Sequence, residues 1–182
     1  RPPPLSRGRW QAEGRAARGS RRRGRVRGDV GNRVGDAGAA LDLVGGSVRD
    51  GRLGRLGDDL DLTTDAEPEQ SLALVDGWAE QTWETGIAFG TVGIARQGFK
   101  LEVTTYRAES YDPTSRNPVV TYGDTLAGDL SRRDFTVNAM AIALPDWRAP
   151  DAFVDLYGGI EHLAAKVLRT PGTPAASSRD AP

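Results

Sequence analysis

A chain of 182 residues and 19.5 kDa can bury one domain of ordinary size but not two. With no cysteine and His162 as the single histidine, it excludes disulfide frameworks, thiolate metal sites, cysteine nucleophiles and multi-histidine metal centres, so any chemistry runs on carboxylates and arginines. The formal charge of −1 hides an asymmetry: residues 1–35 hold eleven arginines against Glu13 and Asp29, a net +9, and the other 147 residues carry −10.

Residues 1–35 offer too little apolar periodicity of either kind to bury a core, and residues 1–38 are expected to form a disordered Arg/Gly-rich tail. The basic run Arg21 to Arg27 suits RNA phosphates, which makes RNA binding through a basic arm one functional reading, although only Trp10 offers a base-stacking surface. Lys100 and Lys166 are the only lysines, and the Arg, Gly, Pro and Ala bias suggests GC-rich coding DNA. Out-of-frame translation of residues upstream of about 38 is therefore a competing reading. No apolar run of roughly 18 residues occurs, and the start lacks the apolar segment of a secretory signal, so a cytoplasmic protein with no membrane partner is expected.

From Leu41 the texture changes. Leu41 to Val44 reads as a strand, Gly45-Gly46-Ser47 as a tight turn, and Val48-Arg49-Asp50 as a helix start. Paired glycines let backbone amides approach a ligand, and a helix start favours an anion. Taken alone the segment reads better as a structural turn than as a ligand site, and it is neither a Walker A loop nor G-x-G-x-x-G. Next comes Asp59-Leu60-Asp61-Leu62-Thr63, in which strand alternation puts both aspartates on one face and both leucines on the other. Two carboxylates in one small volume repel unless a cation lies between them, and hard oxygen ligands suit Mg²⁺. A polar loop with accidental acids is the plain alternative.

A helix is expected from about Pro68 to Ala79, with Trp78, Trp83 and Phe89 packing around it. Thr91 to Ala95 and Leu101 to Arg107 are strand-like. Glu102 becomes a third carboxylate if its strand pairs near Asp59 and Asp61, and is otherwise an exposed strand glutamate. In Arg132 to Ala139 a helix would put Asp134 and Asn138 on one side, near an Arg133 able to grip phosphate with two donors. A short amphipathic helix, Gly159 to Ala165, leaves His162 as a surface or helix-facing residue rather than a catalytic one.

Four segments in order, Leu43–Asp50, Asp59–Thr63, Glu102–Arg107 and Arg132–Ala139, resemble the head domain of class II CCA-adding tRNA nucleotidyltransferases and the closely similar bacterial poly(A) polymerases. The resemblance runs from about Ala39 to Pro171, takes in Val154–Gly159, and between Asp112 and Asp134 is nearest to actinobacterial members. It implies an α+β, polymerase-β-like nucleotidyltransferase fold: a small mixed, mostly antiparallel sheet backed by helices. Residues 39–171 would form this head, residues 1–38 a tail and residues 172–182 a disordered end. The family continues into a base-reading neck domain, so a truncated product is expected.

The resemblance also implies roles. Gly45, Gly46, Ser47 and Arg49 would meet the triphosphate and Asp59 and Asp61 would hold Mg²⁺; the candidate catalytic set adds Glu102 from the strand reading rather than from the resemblance. Arg133, Asp134 and Asn138 would bind triphosphate and ribose, and the segment Tyr106–Asp129, with Arg116, Asn117 and Tyr122, matches the family's flexible loop. The implied partners are CTP, ATP and the tRNA 3′ end, and the implied reaction is template-independent CCA addition by two-metal catalysis. The alternatives are a poly(A) polymerase head, a non-catalytic NTP/Mg²⁺-binding remnant, and RNA binding through the basic arm.

Overall fold

The computed structural model describes residues 17–84, 86–108 and 121–172. Arg116 and Asn117, and the expected disordered end beyond Gly172, lie outside these residues. Among the described residues, seven strands form one sheet in the order β3-β4-β5-β2-β1-β8-β9. In chain order they are β1 Leu41–Val44, β2 Asp59–Thr64, β3 Gln81–Trp83, β4 Thr91–Arg96, β5 Phe99–Thr105, β8 Met140–Ala143 and β9 Phe153–Asp155. Between β5 and β8, β6 (Arg107–Ala108) and β7 (Thr121–Tyr122) pair as a separate small ribbon.

Only β2 and β5 run parallel; every other pairing in the main sheet is antiparallel. This is the mixed, mostly antiparallel α+β sheet expected. Gln97 and Gly98 both take positive φ, 52° and 82°, as a two-residue hairpin between β4 and β5 requires.

Strand alternation sorts the sheet into two faces. Leu41, Leu43, Leu60, Leu62, Val92, Ile94, Leu101, Val103, Met140 and Ile142 are buried in one core together with residues of helices α1 (Ala17–Asp36) and α3 (Pro68–Val75). On the other face, Val44, Ala141 and Ala139 pack with Leu130 of helix α4 (Leu126–Ser131) in a smaller apolar cluster. The rest of that face, from β2 outward, carries Asp59, Asp61, Lys100 and Glu102.

Helix α1 corrects the expectation of disorder for residues 17–36. Val26, Val30 and Val34 recur every fourth residue, and all three are buried in the main core. Five glycines also lie in this helix, each costing about 1 kcal/mol relative to alanine. Packing rather than propensity therefore holds it. At Gly31 a Cβ would sit 2.8 Å from the Pro145 Cα, so glycine allows the close approach of helix to loop. Arg27, only 4% exposed, stacks on Trp147 at 4.6 Å, and its burial, beside Arg23 and Arg148, lowers its pKa to about 10.

Two other expectations shift. Helix α3 stops at Val75 rather than Ala79, because the chain turns through Gly77 at φ +68° before Trp78 enters the core. Phe89, expected to pack, is 53% exposed, whereas Trp83 on edge strand β3 covers Gly93. No helix among the described residues is long and apolar enough to cross a membrane.

Candidate nucleotide site

The site starts where β1 ends. The chain turns through Gly45 at φ +63° into helix α2 (Gly45–Arg52), a conformation that favours glycine. A Cβ at Gly45 would lie 3.0 Å from Arg133 Nη1 and 4.0 Å from Asp61 Oδ2; one at Gly46 would lie 3.4 Å from Arg49 Nη2 and 3.9 Å from the same Asp61 oxygen. The glycine turn, the β2 carboxylate and two arginines thus meet in one space. The buried Ser47 joins them by accepting the Asp61 backbone N–H at 2.8 Å.

Asp59 and Asp61 both emerge from the same face of β2, alternating with the buried Leu60 and Leu62. Parallel pairing sets Lys100 beside Asp59 and Glu102 beside Asp61. Glu102 is exposed, and among the described residues no three carboxylate or histidine side chains gather closely enough to hold a metal ion. Register makes Glu102 a neighbour of Asp61, the placement that the expectation of a third carboxylate beside the two aspartates required.

Asp61 keeps an exposed edge, yet desolvation raises its carboxyl above the ordinary range. Arg133, the Ser47 hydroxyl and Arg49 pull it down, and Asp59 adds to the rise. A divalent cation would reverse this balance. A donor set of one or two carboxylates fits Mg²⁺, which keeps several waters and takes its remaining oxygens from phosphates.

The helix expected over Arg132–Ala139 is absent. Residues 132–135 form a turn, followed by a 3₁₀ segment at Thr136–Asn138. Asp134 and Asn138 meet nevertheless: Asn138 Nδ2 donates to Asp134 Oδ1 at 3.0 Å, and Asn138 Oδ1 accepts from Arg49 Nη1 at 2.7 Å. Arg49 also pairs with Asp50 at 3.0 Å. Arg133 donates through Nη2 to Asp129 Oδ2 at 2.9 Å, while its Nε is buried without a hydrogen-bond partner.

Asp129 was not among the residues the sequence singled out, although it stands four residues before Arg133, the spacing of a helical ion pair. The Asp42 and Tyr106 pair was missed as well: the Tyr106 hydroxyl donates to Asp42 Oδ2 at 3.0 Å, and both side chains are buried. Tyr122, on the β6–β7 ribbon, lays its ring against Gly90. His162, in helix α5 (Gly159–Ala165), is half-buried and lies 2.8 Å from the Thr136 hydroxyl through Nδ1, tying α5 to the 3₁₀ segment.

Residues 41–169 match the poly A polymerase head domain. The chain belongs to this family. Among relatives of this head domain is the CCA-adding enzyme of Lactobacillus helveticus, 41% identical over 140 residues, which are 76% of this chain and 33% of that enzyme. The Bacillus stearothermophilus CCA-adding enzyme in complex with CTP superimposes with a TM-score of 0.65 at 34% identity, covering 79% of this chain and 32% of that one. A tRNA nucleotidyltransferase complexed with a primer tRNA and an incoming ATP analog gives 0.63 at 30% identity, over 79% and 39%. The chain thus spans about a third of the length of the curated relatives it matches.

Proposed function

We propose that this head domain binds a nucleoside triphosphate with Mg²⁺ and transfers its nucleotide to the 3′ end of tRNA without a template, the CCA-adding reaction for which its relatives are named. The observation that carries this reading is the convergence of Asp61 Oδ2 on the Gly45–Gly46 turn, within 4.0 Å of a Cβ built on either glycine, with Arg49 and Arg133 alongside.

The residues divide the work by charge. Arg133 and Arg49 offer guanidinium donors to the β- and γ-phosphates, and the glycine turn leaves room for those phosphates against the backbone. Asn138 and Asp134 hold each other at the ribose end. Asp59 and Asp61 hold Mg²⁺, which when bound neutralises phosphate charge and makes the primer hydroxyl more acidic. The 3′-oxygen of the primer forms the new bond to the α-phosphorus, the bond from that phosphorus to the bridging oxygen breaks, pyrophosphate leaves and the hydroxyl proton passes to water.

The test is to incubate the chain with labelled CTP, Mg²⁺ and a tRNA lacking its CCA end. Wild type should lengthen the tRNA, and Asp59→Asn or Asp61→Asn should lower the rate by about 10³-fold or more while thermal unfolding stays cooperative. Turnover unchanged by either substitution overturns the roles of the aspartates. Tight CTP binding with no lengthening supports the non-catalytic remnant instead, and incorporation from ATP but not CTP supports poly(A) polymerase.

A further inference from the structure

Resting on the nucleotide reading above, we propose that Asp129 is a positioning residue for triphosphate binding: it clamps one edge of the Arg133 guanidinium so that the other edge stays aimed into the space between Gly45 and Asp61. Asp129 is 3% exposed, and its Oδ2 accepts from Arg133 Nη2 at 2.9 Å. Its Oδ1 accepts the Arg107 backbone N–H at 3.3 Å. Arg133 Nη1 is the atom that a Cβ on Gly45 would approach to 3.0 Å. One nitrogen is held and the other faces the glycine turn.

A carboxylate so deeply buried is costly unless charge and hydrogen bonds compensate it, and Arg133 is the cation in its ion pair. An arginine on a surface turn samples many rotamers, and a ligand that must freeze them loses affinity. Asp129 removes that loss in advance, and only a planar fork can be gripped on one side while donating on the other. Because Oδ1 also fixes the start of the β6–β7 ribbon, the same carboxylate registers that ribbon against the triphosphate arginine.

The test measures CTP affinity of the full chain at fixed Mg²⁺ by titration calorimetry, with thermal unfolding as the folding control. Asp129→Asn and Arg133→Met should each weaken binding about tenfold, and the double variant should bind no more weakly than Arg133→Met alone. A purely structural role would leave the two losses independent, so multiplied losses overturn the proposal, as does wild-type affinity in a folded Asp129→Asn. Arg133→Lys leaves the buried carboxylate untouched and keeps a charge but no fork. It should also lose about tenfold, and wild-type affinity there overturns the clamp even if Asp129→Asn does not fold. A wild-type chain that binds no CTP overturns the nucleotide reading itself, and the clamp with it.

Discussion

Asp42 is buried beneath the site in β1, where its carboxylate accepts the Tyr106 hydroxyl. Burial raises its pKa above the ordinary 3.8; the tyrosine bond opposes the rise, and Asp65 and Asp129 add to it. Burial together with the same acids pushes the Tyr106 hydroxyl above its usual 10.0, so it remains a donor at neutral pH. The folded state therefore holds the Asp42 proton more tightly than the unfolded chain does. The stability this group contributes is complete below 3.8 and is lost as pH rises through the folded value. Asp42→Asn keeps an acceptor oxygen for Tyr106 and abolishes the titration. Its unfolding midpoint should exceed that of wild type near about pH 7.5, with the gap closing toward roughly pH 4. Denaturation curves at several pH values check this; a gap that does not vary with pH would show that ionisation is not its source.

Among elements, the short pieces after α4 were the least legible. The spacing of Asp134 and Asn138 correctly implied that they meet, but a 3₁₀ turn and an Asn–Asp hydrogen bond reach the same contact as a helix would. Asp134 Oδ1 also accepts the Phe135 N–H at 2.7 Å, a local bond that competes with helix formation. The strands β1 and β2 were legible because alternation and a glycine turn are local signals, whereas the placing of Glu102 beside Asp61 depended on a parallel pairing that sequence leaves open. What fixes the 3₁₀ segment is its contact with α5. A Cβ on Gly159 would lie 2.3 Å from the Thr136 carbonyl oxygen and 2.8 Å from Met140 Cγ. Backbone cannot yield as a flexible side chain does, so Gly159→Ala should cost about 1–3 kcal/mol and shift Asn138 with the turn. Urea unfolding should show the loss, and CTP affinity should fall with it. Full stability in the alanine variant would mean that the two elements can separate freely.

For the molecule as a whole, helix α1 decides how much of the chain is one folded unit. Its charge and glycine content match those of a disordered segment, and three valines among arginines are too sparse to register as a period before the sheet they cover is known. The main core nevertheless includes Val26, Val30 and Val34 with Leu41, Leu43 and Leu60, on the face opposite the carboxylates. Residues 17–36 are therefore part of the domain, and a free RNA-binding arm cannot include them. Stability should respond accordingly. Val30 is fully buried, and Val30→Ala should cost about 1–2 kcal/mol through lost apolar burial and the void left behind. Arg25→Ala, at an exposed position of the same helix, should be neutral within about 0.5 kcal/mol. The pair controls for helix propensity, because alanine is the better helix former in both cases and a solvated helix would gain from each substitution. Loss in the valine variant alone, read by urea unfolding, places α1 in the cooperative unit. Equal or stabilising effects at both positions would detach it and return residues 17–36 to the status of a tail.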